Sequence, residues 1–312
     1  MSTANHEIKH GVPLKPWYQA MRRTGANAGK SLLLAWMLSV PVMAQDAALE
    51  ATVEEEVFAP LDVEALYHAM EPIPVYGRTA IELLRELETK HYSPVSFDDR
   101  FSAEVFDYYI EALDGQKLYF LSSDVLALSS LRATLDDTLK AGDLQPGFDI
   151  YNLYHKRLLQ RLVWAVEFVE GGLDTLDFDT QEELLIDRED SPWANTIEEL
   201  DDLWRQRIKS SALSLSLTGM EMPLIQERLS KRFRNQLTQI SKTNDRDVFQ
   251  AYLATVARTV DPHTSYFSPR DSENFNMGLR GSLQGIGAQL TSEDEYTKVA
   301  ELIKGGPAEQ AG

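Results

Sequence analysis

Apolar residues recur at helical spacing from residue 61 to residue 260, and this pattern limits the fold more than any other feature of the sequence. The clearest case places five large apolar side chains on one face of a single helix: Phe101, Val105, Phe106, Tyr109 and Leu113. The same spacing predicts four further helices, at 149–169, 196–217, 223–240 and 245–258. We therefore expect a mostly α fold over this part of the chain.

Residues that start or interrupt helices fall at the ends of these segments. Asp98 and the Asp after it precede the helix described above, where carboxylates suit the helix N-terminus. Pro223 lies in the first turn of its helix, and Asn244 or the Asp after it is expected to cap the next one. Residues 142–147 predict a turn, and the acidic stretch 173–192 predicts a loop between helices.

The character of the sequence changes after residue 260. Residues 261–269 predict a loop, 271–277 predict a short helix, and a glycine-rich stretch then leads into a strand. A second strand is predicted at 296–303, and the Gly-Gly-Pro that follows turns the chain toward another helix. Since a two-stranded hairpin is marginal by itself in water, we expect the chain to stop inside an α+β domain.

The first 44 residues have the features of an export signal. Five Lys and Arg precede or flank a short apolar stretch at 31–44, and small residues precede a cut after Ala44. The stretch is shorter than the about 20 apolar residues that a membrane span needs. We expect a cleaved signal peptide and a periplasmic protein. An uncleaved anchor is the alternative, and any further membrane association is expected to be peripheral. Residues 45–60 are acidic and are predicted to be a linker.

Charge and cysteine content exclude several classes of function. The chain has 30 Lys and Arg against 49 Asp and Glu, a net charge of −19, so it would repel the phosphates of a nucleic acid. It contains no cysteine, which excludes disulfides, a thiol nucleophile and every metal site built on Cys. We expect no nucleic-acid partner.

Candidate catalytic residues are few. Asp261, His263 and Ser265 include the residue types of a hydrolytic triad, but they lie within five residues of one loop, whereas triad members normally converge from separate segments. We expect His263 instead to hydrogen-bond within a structured junction. Adjacent acids such as Asp136 and Asp137 point apart on a helix and are expected on a solvated face. We predict no catalytic residue, no metal site and no cofactor in this chain.

One glycine-rich segment, Gly285, Ile286, Gly287 and Ala288, is a candidate binding loop. Glycines on either side of an apolar residue, just before a strand, allow backbone N–H groups to point at an anion such as a peptide C-terminal carboxylate. The strand that follows can pair with an extended peptide along its edge. On spacing alone, a glycine-rich turn that merely begins a strand is the more common interpretation.

Several motifs in a fixed order resemble those of bacterial tail-specific proteases, also called carboxy-terminal processing proteases. They lie at 97–109, 118–121, 203–209, 261–269, 285–288 and 305–308. The resemblance covers residues 60–312. It implies an N-terminal helical domain at 61–260, a junction at 261–281, and the beginning of an α+β PDZ domain, incomplete, at 282–312.

The same resemblance implies a function. Members of this family are exported serine endopeptidases that bind nonpolar protein C-termini through the PDZ domain and cleave with a Ser–Lys dyad. Gly285, Ile286, Gly287 and Ala288 match the carboxylate-binding loop of that domain. The dyad lies downstream of this chain in the family, so we expect the 312 residues alone to be inactive. The implied partners are protein substrates with nonpolar C-termini and an envelope adaptor protein.

Two other hypotheses remain open at this point. In the first, the chain is a non-catalytic periplasmic protein that binds peptides or serves as an adaptor. Alternatively, it is an unrelated helical envelope protein whose glycine-rich tail is incidental.

Overall fold

A computed structural model of the chain describes residues 61–280, 285–293 and 296–311. The predicted signal peptide and acidic linker, residues 1–60, lie outside the described residues. Within the described ranges, no helix is both long enough and apolar enough to cross a membrane.

The described residues are mostly helical, which confirms the predicted α character. The α-helices are α1 Val63–Leu66, α2 Pro74–Lys90, α3 Asp99–Asp114, α4 Ser122–Leu128, α5 Leu135–Ala141, α6 Gln145–Gly172, α7 Ile197–Ser216, α8 Met222–Ile240, α9 Asp245–Val260, α10 Pro269–Arg280 and α11 Pro307–Ala311. Two short 3-10 helices lie at Ser129–Ala133 and Leu173–Thr175, and two strands form β1 Ala288–Glu293 and β2 Tyr296–Leu302. That residues 282–312 begin a PDZ domain stays a prediction.

Helix α3 and helix α9 begin as the sequence indicates. The Asp98 carboxylate accepts a hydrogen bond from the Phe101 backbone N–H (3.0 Å), and the apolar face predicted for α3 is buried along its whole length. Asn244 caps α9 by accepting from the Arg246 N–H (3.0 Å), and Asp247 accepts in return from the Asn244 N–H (3.1 Å). These reciprocal bonds satisfy N–H groups that a helix start otherwise leaves without partners.

Helix α6 starts earlier than predicted, and the predicted turn at 142–147 is correspondingly shorter. Gly142 adopts a left-handed conformation (φ 74°) and ends α5, but α6 begins at Gln145, where Asp143 accepts from the Gln145 N–H (2.9 Å). Gly147 is therefore helical. It is a glycine because of packing: a Cβ at this position would lie 2.4 Å from Cε1 of the buried Tyr252 on α9.

Helix α6 forms the centre of the core. It contacts α1, α3, α5, α7, α8 and α9. The largest fully buried side chains in the described part of the chain are Tyr109, Tyr252, Phe106, Phe120 and Phe148. Burying a large apolar side chain of this kind stabilises a fold by about 1.5–3 kcal/mol, so these aromatic residues fix how the helices pack.

The adjacent acids Asp136 and Asp137 on α5 correct one expectation. Both carboxylates contact Lys140 Nζ, but only Asp137 is on a solvated face, with 75% of its side chain exposed. The Asp136 side chain is 3% exposed and accepts a hydrogen bond from Lys140 Nζ at 2.7 Å. The neighbouring helices bury Asp136, and burial of a carboxylate is tolerated here because a cation on the next turn pairs with it.

The two strands form an antiparallel hairpin. Ala288 pairs with Leu302 and Leu290 pairs with Val299, with an irregularity in register after Gln289. This register places those four apolar residues on one face of the hairpin. Of these, Leu290, Val299 and Leu302 are exposed.

Candidate peptide-binding loop and the junction before it

The candidate loop at 285–288 is held in a conformation that requires glycine at one position. Gly287 has φ 76°, in the left-handed region. A Cβ on Gly287 would also lie 2.8 Å from Cδ of Pro307 and 3.0 Å from Cα of Gly306. By contrast, a Cβ on Gly285 would meet nothing within 4 Å. Glycine is therefore required at position 287 for two reasons. Its backbone angle is left-handed, and residues 306–307 approach its Cα too closely to leave room for a Cβ.

The carbonyl groups of the loop bind the end of the hairpin. The Ile303 N–H donates to the Gly287 carbonyl (2.8 Å), and the Ala308 N–H donates to the Ile286 carbonyl (2.8 Å). No peptide bond in the described chain is cis. In a trans peptide the C=O and the next N–H point in opposite directions. The Gly287 N–H therefore points away from Ala308 on α11, and the Ala288 N–H points away from Ile303, the residue after β2.

The loop and the Gly-Gly-Pro motif come together as one unit. The Gly306 N–H donates to the Ile303 carbonyl (2.8 Å), and Gly305 is left-handed (φ 79°). The Ile286 side chain is 59% exposed and lies beside the outward-pointing N–H groups in sequence. The arrangement combines backbone donors with an accessible apolar side chain, which is the chemistry that a nonpolar carboxylate ligand requires.

The junction motif is fixed by the Asp261 carboxylate. Its Oδ2 accepts a hydrogen bond from the Tyr92 hydroxyl (2.6 Å), and its Oδ1 accepts from the His263 backbone N–H (2.8 Å). The Tyr92 hydrogen bond is the main reason that the pKa of the Asp261 carboxyl is lowered, and the same bond raises the pKa of Tyr92. Asp261 thereby ties the start of the junction to the end of α2.

The residues of the rejected triad do not converge on a reacting atom. The hydrogen bond that joins Asp261 to His263 uses the His263 main chain, and the side chains of His263 and Ser265 are exposed. A second contact supports the junction, because Thr264 Oγ1 lies 3.4 Å from His91 Nε2. No group of three or more His, Asp or Glu in the described part of the chain is arranged to hold a metal ion.

The rest of the junction packs on the helices. The Tyr266 ring meets the Phe249 ring edge-on at 5.8 Å, and Phe249 stacks on Tyr76 at 4.1 Å. Ser268 donates to the Asp271 carboxylate (2.6 Å) and accepts from the Asp271 N–H (3.3 Å) at the start of α10. This helix runs over Pro269–Arg280, so it is longer than the predicted 271–277. The junction is thus a fixed connection along residues 261–268.

The role of Tyr92 could not be predicted from the sequence. An exposed aromatic residue after a helix end has no pattern of its own, and its partner is 169 residues away in the sequence. The adjacent Ser-Pro indicates only that a helix ends there.

Comparison with known proteins identifies the family. The sequence model described as the tail-specific protease N-terminal domain matches residues 83–270, more than half of the chain. The chain belongs to the tail-specific protease family. The match includes the junction motif at 261–269 and ends before the candidate loop at 285–288.

Named relatives agree with this family. A tail-specific protease of Haemophilus influenzae is 36% identical over 226 residues, which is 72% of this chain and 32% of the relative. The carboxy-terminal processing protease CtpA of Bacillus subtilis is 27% identical over 117 residues, or 34% of this chain and 25% of the relative. A probable CtpA-like serine protease of Staphylococcus epidermidis is 31% identical over 71 residues, 23% of this chain and 14% of the relative.

The chain spans about a third of the length of the Haemophilus influenzae tail-specific protease and less of the other two. Membership of this family overturns the hypothesis of an unrelated helical envelope protein, because the match covers the helices themselves.

Proposed function

We propose that the chain is the front part of an exported serine endopeptidase that binds nonpolar C-termini of its protein substrates. Residues 1–44 direct it to the periplasm and are removed after Ala44, and residues 45–60 are a linker. The helical part at 61–260 serves as scaffold and as a docking surface for an envelope adaptor. Residues 282–312 begin the PDZ domain that takes the substrate C-terminus.

The geometry of the loop is the observation that carries this proposal. The carbonyls of Ile286 and Gly287 are used within the hairpin unit, which turns the following N–H groups outward. A substrate carboxylate would accept hydrogen bonds from those N–H groups, which are charge-assisted and stronger than neutral ones. The substrate's last residues would extend along β1, whose described partner is β2 alone.

The catalytic Ser–Lys dyad is proposed to lie outside these 312 residues. A lysine that acts as general base needs burial to lower its pKa and a serine within reach. Two lysines are buried in the described part of the chain, and both are engaged elsewhere. Lys209 Nζ contacts the Thr180 carbonyl (3.2 Å) and Glu182 (3.4 Å), and Lys117 Nζ lies over the Trp193 ring at 4.5 Å.

A peptidase assay tests the catalytic part of the proposal. Purified protein covering residues 45–312 is incubated with a substrate protein that ends in nonpolar residues, and cleavage is followed by mass spectrometry. We expect no turnover. A full-length family member serves as the positive control. Turnover that persists after contaminating proteases are removed would contradict the proposal.

A non-catalytic peptide-binding or adaptor protein is the second candidate. The observation in its favour is that residues within the chain hold the loop in shape, through Ile303 and Ala308. The affinity for a peptide with a nonpolar C-terminus separates the two candidates. A dissociation constant well below about 1 mM favours the adaptor, whereas weaker binding favours the incomplete peptidase.

A further inference from the structure

The segment before α2, residues 61–73, lies across α6 and reaches the start of α9, and we call it the strap. Met70 of the strap is buried, and its backbone N–H and carbonyl both hydrogen-bond to the Asn152 side chain on α6 (2.9 Å each). The Glu71 N–H donates to the Asp245 carboxylate at the start of α9 (3.2 Å). These contacts show where the strap is attached to the helical part.

A buried histidine lies beneath the strap. His155 on α6 has no exposed surface. The rings of Tyr67 and His68, both on the strap, each lie 5.9 Å from the His155 ring centre. The Tyr151 ring, one turn earlier on α6, stacks on it at 6.3 Å. A change in the charge of His155 would therefore act directly on the packing of the strap.

The hydrogen bonding of His155 fits only its neutral form. Its Nε2 lies 3.2 Å from the Ile240 carbonyl oxygen at the end of α8. A carbonyl oxygen can only accept, so Nε2 carries the proton and Nδ1 of the neutral ring is an acceptor. Nδ1 is buried and has no hydrogen-bond partner among the described residues. A second proton would place a charged donor there with no acceptor, which is costly.

The charged and titratable groups on the elements around His155 do not supply that acceptor. They are Glu64, Tyr67, His68 and Glu71 on the strap, Tyr151 and Lys156 on α6, and Lys242, Asp245, Arg246 and Asp247 from the end of α8 to the first turn of α9. Glu64 pairs with Lys156 Nζ (2.9 Å), and Asp247 accepts from the Asn244 N–H (3.1 Å). In the part of the chain that the structure describes, no carboxylate hydrogen-bonds to His155.

Burial is the largest influence on His155 and lowers the pKa of its ring below the usual 6.5. The hydrogen bond to the Ile240 carbonyl raises this pKa, and the nearby His68 lowers it. A base whose pKa is lowered in the folded state stabilises that state above its unfolded-state value. The contribution is lost as the pH falls through about 6.5 toward the folded-state value. Weak acid is therefore sufficient to weaken the packing over His155.

We propose that the strap is an acid-sensitive latch, which is closed while His155 is neutral and opens when His155 takes up a proton. In the open form water can solvate the charged ring, which the closed form leaves buried without an acceptor. Opening also uncovers Met70 and the side of α6 around Tyr151 and His155. Acid would thus change the surface of the helical part without unfolding its core.

Hydrogen–deuterium exchange of the 312-residue chain, resolved by peptide mass spectrometry, tests the latch. Protection factors, which correct for the effect of pH on intrinsic exchange, are compared at pH 7.5 and pH 5.0. Protection of residues 66–72 should fall at least about fivefold at the lower pH, because protonation favours the open form. Protection of residues 248–256 in α9 should change less than about twofold, because the core stays folded.

A pair of histidine variants assigns the effect to one ring. His155→Gln removes the titrating group but keeps a side-chain N–H that can donate to the Ile240 carbonyl. It should reduce the fall in strap protection to less than about twofold. His263→Gln is the matched control, because His263 is exposed in the junction, and it should keep the wild-type fall.

An NMR titration of the wild-type histidine rings covers the case in which His155→Gln does not fold. One ring should titrate below pH 6.5, and the methyl signal of Met70 should change over the same pH range. A different range for the Met70 signal would overturn the proposal. So would equal strap protection at both pH values, a wild-type fall in His155→Gln, or an equal loss of protection at residues 248–256.

Discussion

Asp114 organises the chain that follows α3. Its buried carboxylate accepts hydrogen bonds from the N–H groups of Leu118 (2.7 Å) and Phe120 (3.0 Å) and from the Trp193 indole (3.1 Å). Burial is the main influence on this group and raises the pKa of Asp114. The turn between Asp114 and Leu118 includes Lys117, whose φ of 56° is a conformation that residues other than glycine rarely adopt. The carboxylate thus holds a strained turn in place.

Replacing Asp114 with Asn should destabilise the protein by about 2–4 kcal/mol, because one acceptor becomes a donor that faces other donors. Urea denaturation followed by circular dichroism measures the effect. Asp137→Asn is the control, since the Asp137 side chain is 75% exposed, and it should change the free energy of unfolding by less than about 0.5 kcal/mol. Equal stabilities of the two variants would show that Asp114 is not an organising residue.

The hydrogen bond between Tyr92 and Asp261 makes the junction sensitive to acid. The folded-state pKa of Asp261 is lowered below its ordinary value, chiefly by the Tyr92 hydroxyl. A carboxyl with a lowered pKa stabilises the fold above its unfolded-state pKa, about 3.9, and that contribution is lost as the pH falls through the folded-state value. Tyr92→Phe should raise the pKa of Asp261, as measured by carbon-detected NMR titration.

The control for this titration is Tyr108→Phe, which removes a hydroxyl from α3. It should leave the pKa of Asp261 unchanged. If Tyr92→Phe also leaves that pKa unchanged, the hydrogen bond does not form in solution.

At the scale of elements, the packing of α6 against α9 depends on Gly147. Gly147→Ala should cost about 1–3 kcal/mol, because the added methyl group overlaps the buried Tyr252 ring. Thermal denaturation provides the measurement. Gly171→Ala, near the other end of α6, meets nothing within 4 Å and should be neutral or slightly stabilising. A tolerated alanine at 147 would place the start of α6 farther from α9 than described.

The cap of α9 is a second element-scale test. Asn244→Ala removes the side-chain acceptor for the Arg246 N–H and should cost about 1 kcal/mol. Asn235→Ala, at an exposed position within α8, should cost nothing measurable, since alanine favours helices. Chemical denaturation of both variants decides the point, and equal stabilities would contradict the capping role.

Most helices could be predicted because their signals are local. The apolar period of α3 and the caps at Asp98 and Asn244 require only neighbouring residues. The start of α6 could not be predicted in this way, because Gly147 resembles a turn residue until its contact with Tyr252 is known. Burial of Asp136 is likewise set by neighbouring helices rather than by its own segment.

At the scale of the whole molecule, the distance in sequence decides which contacts could be predicted. The loop around Gly287 and the turn at Pro307 are only about 20 residues apart, and both were singled out from the sequence. The junction depends on Tyr92 and Asp261, which no pattern connects.

The molecule as a whole combines a closely packed helical part with a hairpin whose apolar face is exposed. The family match, over residues 83–270, covers most of the helical part and the junction motif at 261–269, and binding of substrate C-termini is proposed for the loop after them. That division of roles makes the loop the part on which the proposed function depends.

The most direct test is an NMR titration of ¹⁵N-labelled protein with a short peptide that ends in nonpolar residues. The free-acid form should shift the amide signals of Gly287 and Ala288 at concentrations of about 1–10 mM, and the C-terminally amidated form should not. Gly287→Ala should abolish the shifts, whereas Gly285→Ala should preserve them because its methyl group meets nothing within 4 Å. Absent shifts, or equal shifts with the amidated peptide, would contradict carboxylate binding by this loop.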